Sequence, residues 1–573
     1  MRLPIFVLIA ATVCLPQAQA AEPMRVYTAG SIITMDESLP RAQAVAVADG
    51  RIVAVGDLAS MDAWLKAREH VVDHRFADKV LLPGLIDNHL HPLMATILLN
   101  TRWITPQRWS LPGRNVEATR GRAAYLDRVA AAVAESSGGD EPFITWGYHE
   151  LWHGVVRRDD LDRVSATRPV ILWQRSFHEI VVNTPALRWL GFDPERDEEP
   201  VDADFEQGLF SERGLIAALG RMVPYLLTPE RRRAGLDAVR SIVHRGGITT
   251  IADMGVGNYF GLEEEAAIFR SVFGPESTPT RIVLIPVGSR MPEETAREAW
   301  LQSFDDFSEA TSHKVRIGRH VKLMADGGFF AQYMRMNPPG YIDGHEGKWL
   351  TPPAELETLA RLFWDRGLQL HVHVNGDEGM DVVLDILERA LTANPRPDHR
   401  TTLHHVGFAT NDQLRRAGRL GVVISAQPYY IWALGDLYAA HGLGHDRASQ
   451  MSRIGAMVRN GIPTSLHSDF SMAPAAPLTL AWVAVNRVTS EGTLMSPHER
   501  ITVQQALRSI TIDAAFALRM EDEIGSIVAG KRADFTVLEQ DPFAVEPMRL
   551  RDIPIWGTVF EGRPYPILKG AMP

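Results

Sequence analysis

Residues 81–92 read LLPGLIDNHLHP, an apolar run that leads into two imidazoles, His89 and His91, separated by a single leucine. In an extended strand successive side chains point to opposite faces, so His89 and His91 share one face and Leu90 takes the other. A hydrophobic core gains nothing from two adjacent imidazoles, whereas a metal ion binds both. The chain carries 20 histidines, so such a pair also arises by chance. Its meaning is set by what the other strand-like runs carry.

Runs of that kind recur through the middle of the chain and end in polar residues. They are FITWGY (143–148), PVILWQRSFH (169–178), ITTIADMG (248–255), RIVLIPVG (281–288), HVKLMADGG (320–328), LQLHVHVNGD (368–377), TTLHHVG (401–407), GVVISAQP (421–428) and IPTSLHSD (462–469). Helical patterns lie between them; in DEGMDVVLDILERALTA (377–393) the apolar positions 380, 383, 384, 387 and 391 trace one stripe. Repeated β-then-α units indicate a parallel sheet. An open sheet that binds a dinucleotide calls for G-x-G-x-x-G after its first strand. The nearest stretch, GVGNYFG (255–261), has the wrong spacing and reads as a loop. The expected class is α/β, a (β/α)8 TIM-like barrel, in which strand ends converge on one mouth.

The two chain ends differ from this middle. Residues 24–58 alternate short β-rich runs with Gly, Asp and Pro, and GSIVAGKRADFTVLE (525–539) reads strand, Gly-Lys turn, strand. We expect residues 21–82 and 516–573 to form a small β-sandwich satellite domain around a barrel spanning 83–515. Residues 1–20, MRLPIFVLIAATVCLPQAQA, have the layout of a secretory signal peptide with cleavage after Ala20. The only cysteine, Cys14, lies inside that leader. The processed chain therefore holds no thiol for a disulfide, a zinc–cysteine site or a nucleophile. Export of such a chain suits a bacterial periplasm or secretion, with no membrane anchor after cleavage.

With 573 residues, 45% apolar, 23% charged and a formal net charge of -11, the chain carries no electrostatic footprint for nucleic acid. Its basic cluster Arg231–Arg233 follows Thr228-Pro229-Glu230, an N-cap, first-turn proline and first-turn acid. The cluster reads as a solvated helix face.

The strand-end residues able to bind a cation are His89, His91, Lys322, His371, His373, His404, His405 and Asp469. Imidazole and carboxylate without thiolate suit Zn²⁺, Mn²⁺ or Fe²⁺. Taken singly, each histidine reads as a satisfied core residue, Lys322 as a salt-bridge partner and Asp469 as a helix N-cap. Together they end separate strands of one βα series. In that order PGLIDNHLH, VKLMADGG, HVNGDEG, LHSDFSMAP and GSIVAGKRADFTVLEQDP resemble the amidohydrolase superfamily, and within it amidohydrolase family 3, the YtcJ-like branch.

That resemblance implies one or two divalent metals, zinc first and Mn or Fe as alternatives. His89 and His91 would bind the more buried ion, and His373 and His405 a second. Lys322 stands where relatives use a lysine carboxylated by CO₂. Asp469 would touch metal and shuttle the proton. RSFHEIVVNTPAL (175–187) resembles the family segment with a pocket histidine, which gives His178 the task of polarising the substrate carbonyl and Asn183 a structural one. Three imidazoles depart from the pattern. His404 stands where relatives often have Glu, His467 where many have Gly, and His371 is an extra ring beside His373. They are ligand alternatives or pocket lining.

The implied reaction is hydrolysis of a carbon–nitrogen bond in a small molecule, an amide other than a peptide bond, since coordination lowers the pKa of water from 15.7 to about 7. Ester, lactone or cyclic-imide hydrolysis in the same site is an alternative, as is a non-catalytic exported metal- or ligand-binding protein. A G-x-S-x-G serine elbow is missing from the sequence. Met324, Phe329, Phe330, Tyr333, Met334 and Met336 either pack beneath a loop or wall the substrate pocket. Gln427 faces the mouth or satisfies the rim. A homodimer is the family-level expectation.

Overall fold

The computed structural model describes residues 23–568 except 137, 138, 140, 290, 291 and 310; the expected leader, with Cys14, lies outside them. The molecule is a mixed α/β protein. Its parallel strands are β1 (Leu85–Leu90), β2 (Ile248–Val256), β3 (Arg281–Pro286), β4 (His320–Met324), β5 (Gln369–Val374), β6 (Thr402–His405), β7 (Val423–Ala426) and β8 (Thr464–Leu466). Most are buried along their whole length, as parallel strands covered on both faces must be. That is why they read as continuous apolar runs rather than alternating ones.

β1, β2 and β3 pair in parallel, and a short strand at Val315–Ile317 extends β3. β4 to β8 pair in sequence order. A parallel bridge from Val287 to Lys322 joins the two sets. At the other side Asn88 Nδ2 of β1 donates to Ser465 Oγ of β8 at 2.9 Å. Register aligns the polar tips: Lys322 lies opposite His371, His373 opposite His404, and Val374 opposite His405. The helix foreseen over 377–393 spans Asp377–Ala393 and buries Met380, Val383, Leu384 and Leu387. GVGNYFG is the end of β2 and the loop leading to a helix at Leu262–Phe273.

One expectation changes. FITWGY and PVILWQRSFH are not members of the β1–β8 series. They form strands Phe143–Tyr148 and Val170–Gln174 of a separate six-stranded sheet, inserted between β1 and β2. Their apolar, strand-forming composition is the same, so composition could not tell the two sheets apart. The two chain ends share one continuously paired seven-stranded sheet. Its two longest strands, Met24–Ile33 and His70–Pro83, run parallel with register shifts at Tyr27/Ala29 and Ala29/Ser31, and such bulges bend a strand. Arg281 at the base of β3 ties this sheet to the parallel strands, with Nη1 at 2.7 Å from Asp534 and Nη2 at 3.0 Å from Glu561. Among the described residues no helix is long and apolar enough to cross a membrane.

Candidate metal centre

The tips of β1, β2, β4, β5 and β6 and the loop after β8 open into one cavity of about 980 Å³. His89, His91, His178, Lys322, His373, His405 and Asp469 all line it. Residues nearly 400 positions apart in the chain thus meet in one cleft.

Three donor atoms of the cluster face one another: His89 Nε2, His91 Nε2 and Asp469 Oδ1. The two imidazole nitrogens are 3.3 Å apart. The carboxylate oxygen is 3.7 Å from His89 and 3.4 Å from His91. Ligands about 2.0–2.1 Å from a tetrahedral ion stand roughly 3.3 Å from each other. The triangle has that edge. The other carboxylate oxygen, Asp469 Oδ2, accepts from Gln427 Nε2 at 3.3 Å and lies 3.9 Å from His405 Nδ1. Asp469 therefore sits between the two halves of the cluster. Both His405 and Asp469 are in left-handed backbone conformations, with φ 76° and 51°. Such strain collects at functional sites, where it aims side chains that a regular strand would point elsewhere.

Lys322 is buried, and its Nζ has no hydrogen-bond partner among the described residues. Burial pushes its pKa down to about 7. An uncompensated buried ammonium is costly, so a neutral amine, or a group formed from it, fits the position better. Burial also raises the Asp469 carboxyl, against the pull of His91, Lys322 and His178. Burial holds His89, His373 and His405 well below the usual imidazole range, so the rings are neutral donors of lone pairs. This donor set fits a divalent cation.

The extra imidazoles form a row beneath the cluster. His89 Nδ1 lies 2.8 Å from His404 Nδ1, His404 Nε2 lies 2.9 Å from His371 Nδ1, and His371 Nε2 lies 3.1 Å from His320 Nδ1. If His89 Nε2 binds the cation, its Nδ1 carries the proton and donates to His404. His404 then donates from Nε2 to His371, and His371 from Nε2 to His320. One tautomer choice fixes all four rings, the arrangement by which outer partners orient a ligand histidine. His89, His404 and His467 also converge as a second trio. The 2.8 Å separation of His89 and His404 is a hydrogen bond, shorter than the edge between two ligands of one tetrahedral ion. His467 instead sets its Nδ1 2.8 Å from Ser425 Oγ and its Nε2 3.2 Å from His405 Nδ1. Among the described residues that line the cavity, none is His371, His404 or His467.

His178 reaches the cavity from the inserted sheet. Its Nδ1 is 2.9 Å from Glu212 Oε2. Burial opposes the charged imidazole, but the Glu212 carboxylate outweighs it and raises the pKa. Asn183 is structural: its Oδ1 caps the helix at Thr184–Leu190 and accepts from Val170 N. Of the apolar residues after β4, Met324 lines the cavity, while Phe329 is buried against Tyr430 with ring centroids 4.1 Å apart.

Sequence reasoning missed three acids. Glu212, in an otherwise unremarked SER-GLI stretch, gave no signal. Asp253 stands near the end of the run ITTIADMG and lies 3.6 Å from His91 Nδ1; a carboxylate in an otherwise apolar strand was the available clue. Asp87, inside PGLIDNH, accepts from the backbone N–H of Ser468 at 3.1 Å and so holds β1 against the loop that carries Asp469.

A parallel α/β fold with a buried His/Asp cluster at its strand ends defines the class, a metal-dependent hydrolase. Residues 77–565 match the model of the amidohydrolase family, and the chain belongs to that family. It is 26% identical to the protein LONG AFTER FAR-RED 3 of Arabidopsis thaliana, over 89% of this chain and 86% of that one. It is 24% identical to an N-substituted formamide deformylase of Arthrobacter pascens, over 93% of this chain and 96% of that one. With the putative amidohydrolase YtcJ of Bacillus subtilis (strain 168) the figure is 25%, over 94% and 98%. Among solved structures, an uncharacterized metal-dependent hydrolase from Pyrococcus horikoshii OT3 superposes with a TM-score of 0.69 at 20% identity, covering 91% of this chain and 99% of that one.

Proposed function

We propose that the protein hydrolyses a carbon–nitrogen bond of a small molecule, an amide other than a peptide bond. The observation that carries this reading is the triangle of His89 Nε2, His91 Nε2 and Asp469 Oδ1, whose edges of 3.3, 3.4 and 3.7 Å match the span of ligands around one small cation. The name of the Arthrobacter pascens relative, N-substituted formamide deformylase, supports an amide. Imidazole and carboxylate donors favour zinc, with Mn or Fe as alternatives. The partnerless Lys322 amine is suited to carboxylation, and with His373 and His405 it would then hold a second ion. The reading takes β1–β8 as one closed ring, supported by the Val287–Lys322 bridge and the Asn88–Ser465 hydrogen bond.

A divalent cation in this site supplies an acidified water and a Lewis-acid contact for the scissile carbonyl. The remaining work falls to the chain. Asp469, with one oxygen toward the histidine pair and the other toward Gln427, takes the proton of the attacking water and returns it to the departing nitrogen. His178, held by Glu212, donates to the carbonyl oxygen as negative charge grows there. The row His404–His371–His320 keeps the His89 ring in one orientation.

Metal-loaded protein offered matched amides and esters tests the proposal. It predicts amide cleavage, and a fall of about 100-fold to 10,000-fold in turnover for Asp469→Asn, with more metal retained than in His89→Ala. Cleavage of esters alone, or equal metal loss in both variants, contradicts it.

A further inference from the structure

One side of the cavity is a helix, Glu212–Leu226, with apolar residues on two faces. Its inner face is packed: Ala218, Met222 and Leu226 are buried. Its cavity face carries Leu215, Leu219 and Val223 at intervals of four, with Ile216, Gly220 and Pro224 in the next row. On that face Ile216 is 42% exposed, and among the described residues a side chain built at Gly220 meets no atom within 4 Å. Phe260 and Trp300 line the same cavity. The result is an apolar wall whose floor is the His/Asp cluster.

Such a wall also discriminates by charge: Leu215, Ile216, Leu219, Val223 and Pro224 offer no side-chain hydrogen bond to a carboxylate, and a charge that gives up its water without a partner is costly to bury.

We propose that this wall binds the apolar, uncharged substituent of the substrate, aliphatic or aryl, and that amides bearing a carboxylate on that substituent are rejected. The assignment of the bond cleaved rests on the hydrolase reading above; the assignment of what binds does not. One observation carries it: an apolar strip of the helix, with Ile216 exposed and open space at Gly220, that lines the same cavity as the cluster.

Calorimetric binding and turnover, measured on the same metal-loaded protein, test the two readings separately. The probes are the acetyl, butyryl and hexanoyl anilides, and the half-anilide of adipic acid, which is hexanoyl anilide with its terminal methyl replaced by carboxylate. Affinity is expected to rise about fourfold per methylene along the series, the transfer value of a buried CH₂. The adipic half-anilide is expected to bind at least about tenfold more weakly than hexanoyl anilide. Ile216→Asp, at an exposed position that does not support the fold, is expected to lower the hexanoyl-to-acetyl affinity ratio about tenfold. Flat affinity along the series, equal binding of the acid-ended probe, or an unchanged ratio in Ile216→Asp overturns the wall. Length-dependent binding without cleavage leaves the wall standing and overturns the hydrolase reading instead.

Discussion

His404 shows how one ring can serve a site it does not line. It stands between His89 and His371, at 2.8 and 2.9 Å, and burial with the neighbouring Lys322 keeps it neutral. His404→Phe keeps the volume and removes both hydrogen bonds, leaving His89 free to rotate or change tautomer. Metal affinity should fall about 10- to 100-fold, the usual effect of losing an outer partner. Chelator competition, with a thermal melt to check the fold, measures it; unchanged affinity contradicts the supporting role. The histidines and Asp469 that line the cavity were legible in the sequence because they end apolar runs. The roles of His371, His404 and His467 were not, because a strand places neighbouring rings on known faces but says nothing of what opposes them across the interior.

At the scale of the element, the loop after β4 decides where His178 can stand. A side chain at Gly328 would put its Cβ 2.5 Å from His178 Cδ2 and 2.7 Å from Nε2. Gly328→Ala should therefore push the imidazole off Glu212. Turnover should drop on the order of 100-fold, the effect of an ångström-scale misplacement, with metal content intact. Loss of metal together with activity would place the fault in the centre itself rather than in His178. The β1–β8 strands and the helix at Asp377–Ala393 were readable from period and length. The six-stranded insertion was not: its strands are as apolar as the others, and only long-range pairing separates the sheets.

For the whole molecule, Glu179 joins the inserted sheet to the loop after β4. Tyr333 Oη donates to its Oε2 at 2.6 Å and Gln174 Nε2 to its Oε1 at 3.2 Å. Burial raises its carboxyl from 4.5 to about 7. Between those values the folded chain keeps the proton that the unfolded chain has lost, so stability falls as pH rises through the window. Below it there is no cost, and above it the cost is complete. Glu179→Gln cannot ionise. Its stability relative to the parent should grow from pH 4.5 to pH 7 by at most on the order of 3 kcal/mol and then level off. Urea denaturation across that range checks it; a constant difference rules out the raised carboxyl.

Every step of the proposed chemistry depends on a cation held where the strand ends meet. Diffraction from crystals of the purified protein, recorded on both sides of the zinc, manganese and iron absorption edges, locates and identifies any such ion. The account predicts an anomalous peak bounded by His89 Nε2, His91 Nε2 and Asp469, absent in His89→Ala. A peak elsewhere, or fully occupied metal in His89→Ala, would contradict it.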